Sequence, residues 1–450
     1  MLKRSFVFLL LVLFSLEQAD NAWAQRNLSF IRDAEIEHMV RAFATPVFQA
    51  AGLNTAAVKI HLVNNADLNA FVAGGQHLFL FTGLLLRAET PGQLIGVIAH
   101  ETGHIAGGHL ARTRDALRGA TALTILSMVL GVGAAIAGST DAAGALIVGG
   151  QTAAQNVYLK YSQLQESSAD QAAVTFLNRS GQSGRGLVQF LDILGDQAAL
   201  MGRSQDTYAR THPITSERIA RLRERVAASP FADVPDAPEF VHALAMAQGK
   251  LTGFLKRPEQ TFQAYPKTDD SAPAHYARAI AYHKLADVEQ ALAELAPLLS
   301  AKPDNAYFWE LKSQILYENG RIEPALKPAE MALRLQPDEP LLRAGLGQVM
   351  VATERPDMIA AAIPHLEGAV AVDPDMPGAW RQLAIAYGRG GRLGMSALAS
   401  AEQSYRLGHL KAAIGYAQRA QQRLGQGSVA YQQAKDLEGV AQRELKRQRR

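Results

Sequence analysis

The sequence predicts a mainly helical chain in two parts: an α+β domain with a small β-hairpin or sheet, followed by an all-α solenoid of stacked helices. Three observations carry that expectation. Strand-like and helical patterns alternate from Asn27 to about Ala228, a Pro- and Asp-rich break follows at residues 228–238, and the rest repeats a helical pattern at fixed spacing. At 450 residues, 48% hydrophobic and 19% charged, the chain can bury more than one core. A net charge of +3 gives no footing for nucleic acid, and the basic residues Lys446, Arg447, Arg449 and Arg450 read as a solvated chain end. Cysteine is absent, which excludes disulfides, thiolate nucleophiles and Cys-held zinc; a metal here must sit on His and carboxylates.

The first 24 residues read as an export signal. Lys3 and Arg4 precede an apolar run from Phe6 to Leu16, and Ala22-Trp23-Ala24 offers small residues where a signal peptidase reads. The run is short for an uncleaved membrane anchor, the competing reading. Export of this kind implies the periplasm, with peripheral membrane contact as an option.

Within the α+β domain, taken as residues 25–230, the β-prone runs at 58–63 and 78–81 flank Asn, Asp and the pair Gly74-Gly75, and predict a hairpin or mini-sheet. A helix start follows at Thr90-Pro91-Gly92-Gln93: Thr90 caps, Pro91 suits the first helical position and Gln93 completes a capping box.

After a linker at 231–238, residues 239–450 carry the repeats. Pro303 and Pro337 are 34 positions apart, as are Ala291 and Ala325, and Tyr282 and Leu316. With Trp309 and Ala332 these fill the large, small and proline positions of a tetratricopeptide repeat. Pro374 comes 37 after Pro337, which places an insertion near Arg355–Met358. Trp380, Leu383, Ala384 and Tyr387 open another unit, and residues 410–424 and 429–445 read as degenerate or capping helices.

The chemistry lies in His100-Glu101-Thr102-Gly103-His104, an H-E-x-x-H motif on the helix after Pro91. Four residues turn a helix by roughly 40° beyond a full circle, so both imidazoles project from one face and can grip one ion. Glu101 stands beside them as general base. A hydrolytic zinc site needs three protein ligands and an open position. Two residues compete for the third place. His109 comes after Gly107, but a continued helix would carry it roughly 140° around from His104, so it reads as a packed or hydrogen-bonding histidine and not as a ligand. Glu166, on a later helical stretch, is better suited, with Asp170 one turn on as acceptor for a ligand imidazole.

His100–His104, Glu166-x-x-x-Asp170 and Thr211-His212-Pro213 with Arg218-Ile219 resemble the HtpX and CAAX-prenyl-protease family of metallopeptidases. The resemblance implies a zincin-like zinc metalloendopeptidase with one Zn2+ per chain, held by His100, His104 and Glu166. By it, Glu101 is the base, and His212 and Arg218 lie at the active site. His212 would bond the oxyanion or, as in some members, occupy the open zinc position and keep the enzyme latent; without the family it reads as a turn histidine before Pro213. Asn69-Ala70-Phe71 would be the edge strand that pairs with substrate, or otherwise a loop beside the hairpin. The implied work is on stalled or misfolded outer-membrane proteins, with the repeats docking to the assembly machinery. A chaperone-like adaptor with minor or latent proteolysis is the competing class.

Residues 119–138 are uncharged and long enough for a membrane span. His104 before them and Glu166 after them must meet at one metal, so a single crossing is excluded. The stretch 119–150 is therefore expected to form a hairpin that packs over the site, touches the membrane surface, or lies buried in the domain core.

Overall fold

The computed structural model describes residues 29–109, 162–201, 208 and 212–448. The expected signal segment (1–24) and the apolar stretch 119–150 fall outside them. Among the described residues no helix is long and apolar enough to cross a membrane. The chain divides into two compact units, one of Met1–Ile31 with Val40–Val241 and one of Arg32–Met39 with His242–Arg450.

In the first unit a four-stranded sheet lies in the order β1 (Phe30–Ile31), β2 (Lys59–Val63), β4 (His77–Phe81), β3 (Ala70–Ala73). The two β-prone runs read from sequence are β2 and β4, and they pair in parallel, Lys59 opposite His77 and Val63 opposite Phe81. Of the hairpin or mini-sheet expected from these runs, the structure shows the sheet, with the two runs as neighbouring strands. The hairpin is instead β3 with β4, Ala70 opposite Leu80 and Ala73 opposite His77, closed through Gly74 and Gly75 at φ 56° and 97°. β3 escapes a propensity reading because it is four residues long and half alanine. It lies at the sheet's edge, so one side of its backbone ladder is unpaired among the described residues. Leu78 and Leu80 point into the core. On the other face Phe30, His61, Phe79 and Phe71 form a row of touching rings.

The helices of this unit are α1 (Ala34–Ala50, from Val40 on), α2 (Thr82–Arg87), α3 (Pro91–Ala106), α4 (162–179), α5 (Arg185–Met201) and α6 (Ser216–Ala227). α3 starts where the sequence places it. The Thr90 hydroxyl accepts from the Gln93 amide at 3.4 Å, and the Gln93 side chain accepts from the Glu89 amide, one residue before the partner a capping box uses. Every residue from Pro91 to His104 is buried, so the motif helix is a core element. The Pro-rich stretch before residue 238 packs on this unit: Ser183 donates to the Ala232 carbonyl and the Gly92 amide to Asp236.

The second unit is helical. α7 (Pro238–Leu255, from His242 on) and α8 (Pro258–Ala264) lead into the pairs α9 (Ala272–Lys284) and α10 (Val288–Ala301), α11 (Ala306–Glu318) and α12 (Ile322–Leu335), α13 (Pro340–Ala352) and α14 (Pro356–Val372), α15 (Pro377–Arg389) and α16 (Leu393–Arg406). Two last helices, α17 (Leu410–Arg423) and α18 (Val429–Gln448), close the chain. The periodic residues have structural jobs. Ala291 and Ala325 are fully buried where neighbouring helices approach, and the indoles of Trp309 and Trp380 each donate to the proline carbonyl six residues earlier, Pro303 and Pro374, at 2.8 Å. The extra residues before Pro374 lengthen α14 to 17 residues against 14 in α12. One apolar core runs from Met246 to Ala399, whereas α17 and α18 add small clusters built largely of alanine.

This unit also shields a knot of charge. Lys250 Nζ lies 2.7 Å from Asp33, 3.2 Å from Glu35 and 3.9 Å from Glu310, and the Tyr276 hydroxyl donates to Glu35 at 2.8 Å. Nothing in the sequence pattern distinguishes these residues from solvent-facing charges.

Candidate metal centre

The site assembles from α3, α4 and the segment leading into α6. On α3, His100 and His104 project from one face as their spacing requires, with Glu101 beside them; His100 and Glu101 are fully buried. α4 supplies Glu166 and, one turn later, Asp170. The two helices approach so closely that a Cβ on Gly103 would lie 2.7 Å from the Ala169 carbonyl oxygen and 2.9 Å from its Cα. The glycine inside the motif therefore sets how near Glu166 comes to the histidines. His212 enters after one further turn, its amide donating to the Tyr208 carbonyl at 2.7 Å and its ring stacked on the Tyr208 ring at 4.6 Å.

Four donor atoms converge. His100 Nε2 is 3.1 Å from His104 Nε2 and 3.3 Å from Glu166 Oε2. His104 Nε2 is 3.3 Å from Glu166 Oε1. His212 Nδ1 is 3.3 Å from His100 Nε2 and 3.1 Å from Glu166 Oε1. Hydrogen bonds cannot account for the set, because each imidazole nitrogen faces several partners and carries at most one proton. A tetrahedral ion with ligands at about 2.0–2.1 Å has edges of about 3.3 Å, which is the spacing here. Four potential ligand atoms, all within 4.8 Å of one another and all buried, thus fit a divalent ion of zinc's preferences.

Burial and neighbouring charges pull the groups of the site in different directions. Burial would lower His100, but its hydrogen bonds to Asp170 and Glu166 prevail and push it up to about 9. Burial takes His104 down to about 3. Burial would raise Glu166, but the charge on His212 and hydrogen bonds from all three imidazoles hold it well below the usual carboxylate range. Asp170 is likewise held at about 2 against its burial, chiefly by Arg218. Arg218 is the outer tie: Nε is 2.6 Å and Nη2 2.8 Å from Asp170, and Nη1 is 2.8 Å from Glu166 Oε2. It touches the two carboxylates and does not join the four donors. Asp170 Oδ1 lies 2.9 Å from His100 Nδ1, which orients that ring.

Glu101 stands apart from this satisfaction. Both its carboxylate oxygens are buried without a hydrogen bond among the described residues, and burial pushes its pKa up. Oε1 lies 3.3 Å from His212 Nε2. A buried carboxylate with unused acceptor capacity beside the donor cluster is suited to take a proton.

Ala70 and Phe71 open the edge strand β3, which packs against α3, and Asn69 directly precedes it. Asn69 is buried with its Oδ1 unpartnered among the described residues. The candidate residues read from sequence thus lie on α3 (His100, Glu101, His104), on α4 (Glu166, Asp170), before α6 (His212), within α6 (Arg218) and at the edge beside α3 (Asn69, Ala70, Phe71). Sequence reasoning passed over Tyr208, since a tyrosine four positions before a histidine has no distinguishing pattern without a known helix. His109, expected to be a packed or hydrogen-bonding histidine, is buried with its ring against His104.

Residues 31–226 match Peptidase family M48, and residues 257–406 match a tetratricopeptide repeat family. The chain is 27% identical over 388 residues to the β-barrel assembly-enhancing protease of Yersinia pestis, covering 84% of this chain and 78% of that protein. It is 26% identical over 302 residues to the protein of the same name from Escherichia coli strain K12, covering 66% of this chain and 61% of that protein, less than two thirds of its length. Among solved structures, a MamA variant is 19% identical with a TM-score of 0.30, covering 40% of this chain and 97% of its own.

Proposed function

We infer, from a chain that carries an M48 metallopeptidase domain followed by tetratricopeptide repeats, that it is a zinc-dependent endopeptidase of the periplasm that acts on stalled or misfolded outer-membrane proteins. The observation that carries the reading is the buried tetrad of His100, His104, Glu166 and His212 at tetrahedral spacing, with an unsatisfied Glu101 beside it. The two similar proteins named for β-barrel assembly support the substrate class, and the signal-like first 24 residues support export. The repeats supply the surface for docking to the assembly machinery.

Bound by these residues, zinc would supply Lewis acidity toward a scissile carbonyl and toward water. The chain's own groups do the rest. β3 holds an extended substrate by backbone pairing at its free edge, with Asn69, Ala70 and Phe71 forming the start of that edge. Glu101 takes the proton of the attacking water and returns it to the leaving amine. Asp170 and Arg218 act as positioning residues, orienting His100 and Glu166.

His212 gives the mechanism a second state. Its Nδ1 lies among the donor atoms, 3.3 Å from His100 Nε2 and 3.1 Å from Glu166 Oε1, so with this ring in place a bound ion would have no position for water and the enzyme would be latent. With His212 swung away, that position would open to water and the ring would be available to the oxyanion. The same latency supports a second reading, in which the protein acts chiefly as an adaptor and cleaves rarely.

A casein cleavage assay on wild type, Glu101→Gln and His212→Ala, with zinc measured in each, tests the reading. Glu101→Gln should keep zinc and lose about 10²–10⁴-fold in rate. His212→Ala should cleave faster than wild type at equal zinc. Unimpaired cleavage by Glu101→Gln contradicts the enzyme assignment, and full genetic complementation by the same variant favours the adaptor.

A further inference from the structure

We propose that His109 is a positioning residue for the metal centre: its ring fixes His104 as Asp170 fixes His100. The inference rests on the zinc reading above and adds a residue to it. Helix α3 does not continue through the glycines after its metal face. It ends at Ala106; Gly107 remains right-handed at φ −70°, and Gly108 turns left-handed at φ 62°. That reversal cancels the rotation that would carry His109 off the metal face, and brings it back under the last turn of the helix. Its Nδ1 then lies 3.0 Å from His104 Nδ1, the rings edge to face at 4.9 Å and 81°.

The proton placement follows from the cluster. His104 Nε2 points at the other donors, so its lone pair belongs to the ion and its proton must sit on Nδ1. Nδ1–H therefore donates, and His109 Nδ1 accepts. The two ligand imidazoles of the motif are thus anchored by different chemistry, His100 by a carboxylate at 2.9 Å and His104 by a neutral ring.

Two further observations show that the place for this ring is built. His109 is buried, and its carbonyl accepts from the Gln165 side chain at 3.1 Å, tying it to the residue before Glu166. A Cβ on Gly107 would come within 2.4 Å of His109 Nε2 and 2.8 Å of its Cδ2, so only glycine leaves the ring its room. Because Gly107 has an ordinary helical φ, alanine there suits the backbone and disturbs the ring alone.

The experiment is a zinc titration of the full chain against a chromophoric chelator, for wild type, His109→Ala, His109→Gln and Gly107→Ala, with His100→Ala as control. The cobalt(II) d–d spectrum is recorded in parallel. His109→Ala and Gly107→Ala should bind zinc about 10–100-fold more weakly and shift the cobalt bands. His109→Gln, whose amide oxygen can still accept from His104 Nδ1, should stay within about threefold of wild type with unshifted bands, since the accepting atom is retained. Wild-type affinity in both His109→Ala and Gly107→Ala overturns the proposal. Equal loss in His109→Gln overturns it too, because the ring would then matter only for packing. Should wild type bind zinc no better than His100→Ala, the metal reading itself fails and this inference falls with it.

Discussion

In the first unit Glu166 and Asp170 are buried among His100, His104, His212 and Arg218; in the second, Asp33, Glu35 and Glu310 are gathered around Lys250. Both clusters withdraw ionised groups from water, which costs several kcal/mol per ion unless partners offset it, on the order of what holds a domain together. They meet that cost differently. Around Lys250 each carboxylate faces an ammonium that carries its own three protons, and Tyr276 adds a donor to Glu35. Asp33 and Glu35 are paired directly with the ammonium, while Glu310 stands off at 3.9 Å. At the α3–α4 site Arg218 covers Asp170 and the outer side of Glu166, while the inner side of Glu166 faces three imidazole nitrogens, His100 lying 3.1 Å from His104 and 3.3 Å from His212. That set closes only around a cation. Burial of charge therefore does not mark a functional site; convergence of four donor atoms at the spacing of one ion's ligands does.

The widest separation of the two regions comes from removing metal. Dialysis against a strong chelator should abolish peptidase activity and lower the melting transition of the first unit, by about 4 kcal/mol if zinc had been present at 1,000 times its Kd. The repeat unit's transition should not move. Scanning calorimetry with and without chelator checks this, and a common downward shift of both transitions would break the comparison.

Lys250→Met strikes the other cluster. Removing the one ammonium leaves three carboxylates facing one another and should destabilise the repeat unit by about 3–5 kcal/mol, read by denaturant titration. Zinc content should stay at the wild-type value.

The smallest effect is expected at Glu310. Its Oε2 is shielded and has no hydrogen bond among the described residues, although about a third of the side chain, 32%, is exposed. Burial raises its carboxyl to about 7 against an ordinary 4.5, and Lys250 lowers it only in part. A carboxyl whose pKa rises on folding favours the folded state below its ordinary value, and that contribution is lost as pH climbs from 4.5 toward 7. Glu310→Gln should therefore raise the melting temperature of the repeat unit by a few degrees at pH 8 and leave it unchanged at pH 4. A stabilisation of equal size at both values would contradict the assignment.

The contrast also explains what sequence could and could not tell. The H-E-x-x-H spacing carries its own geometry, because four residues return to the same helix face wherever the helix lies. Glu166 and Asp170 share that advantage on α4, and the 34-residue period carries over directly into α9 to α16. The parallel pairing of β2 with β4 was not legible, since it depends on a short alanine-bearing β3 lying beyond β4 rather than between the two. His109 is legible as a hydrogen-bonding histidine, but its partner is not, because one left-handed residue, Gly108, changes the helical phase; the glycine pair after His104 is the signal of a helix end that points to it. Lys250 and its carboxylates were invisible because Asp33 and Glu35 come from the N-terminal part of the chain, more than two hundred positions away.

The central claim is that four side chains from separate stretches of chain surround one ion. Crystals of the zinc-loaded protein, with anomalous data on both sides of the zinc edge, test it most directly. The account predicts one peak, about 2.0–2.2 Å from His100 Nε2, His104 Nε2, a Glu166 oxygen and His212 Nδ1. A peak elsewhere, or Glu166 turned out of reach of the two motif histidines, would contradict it.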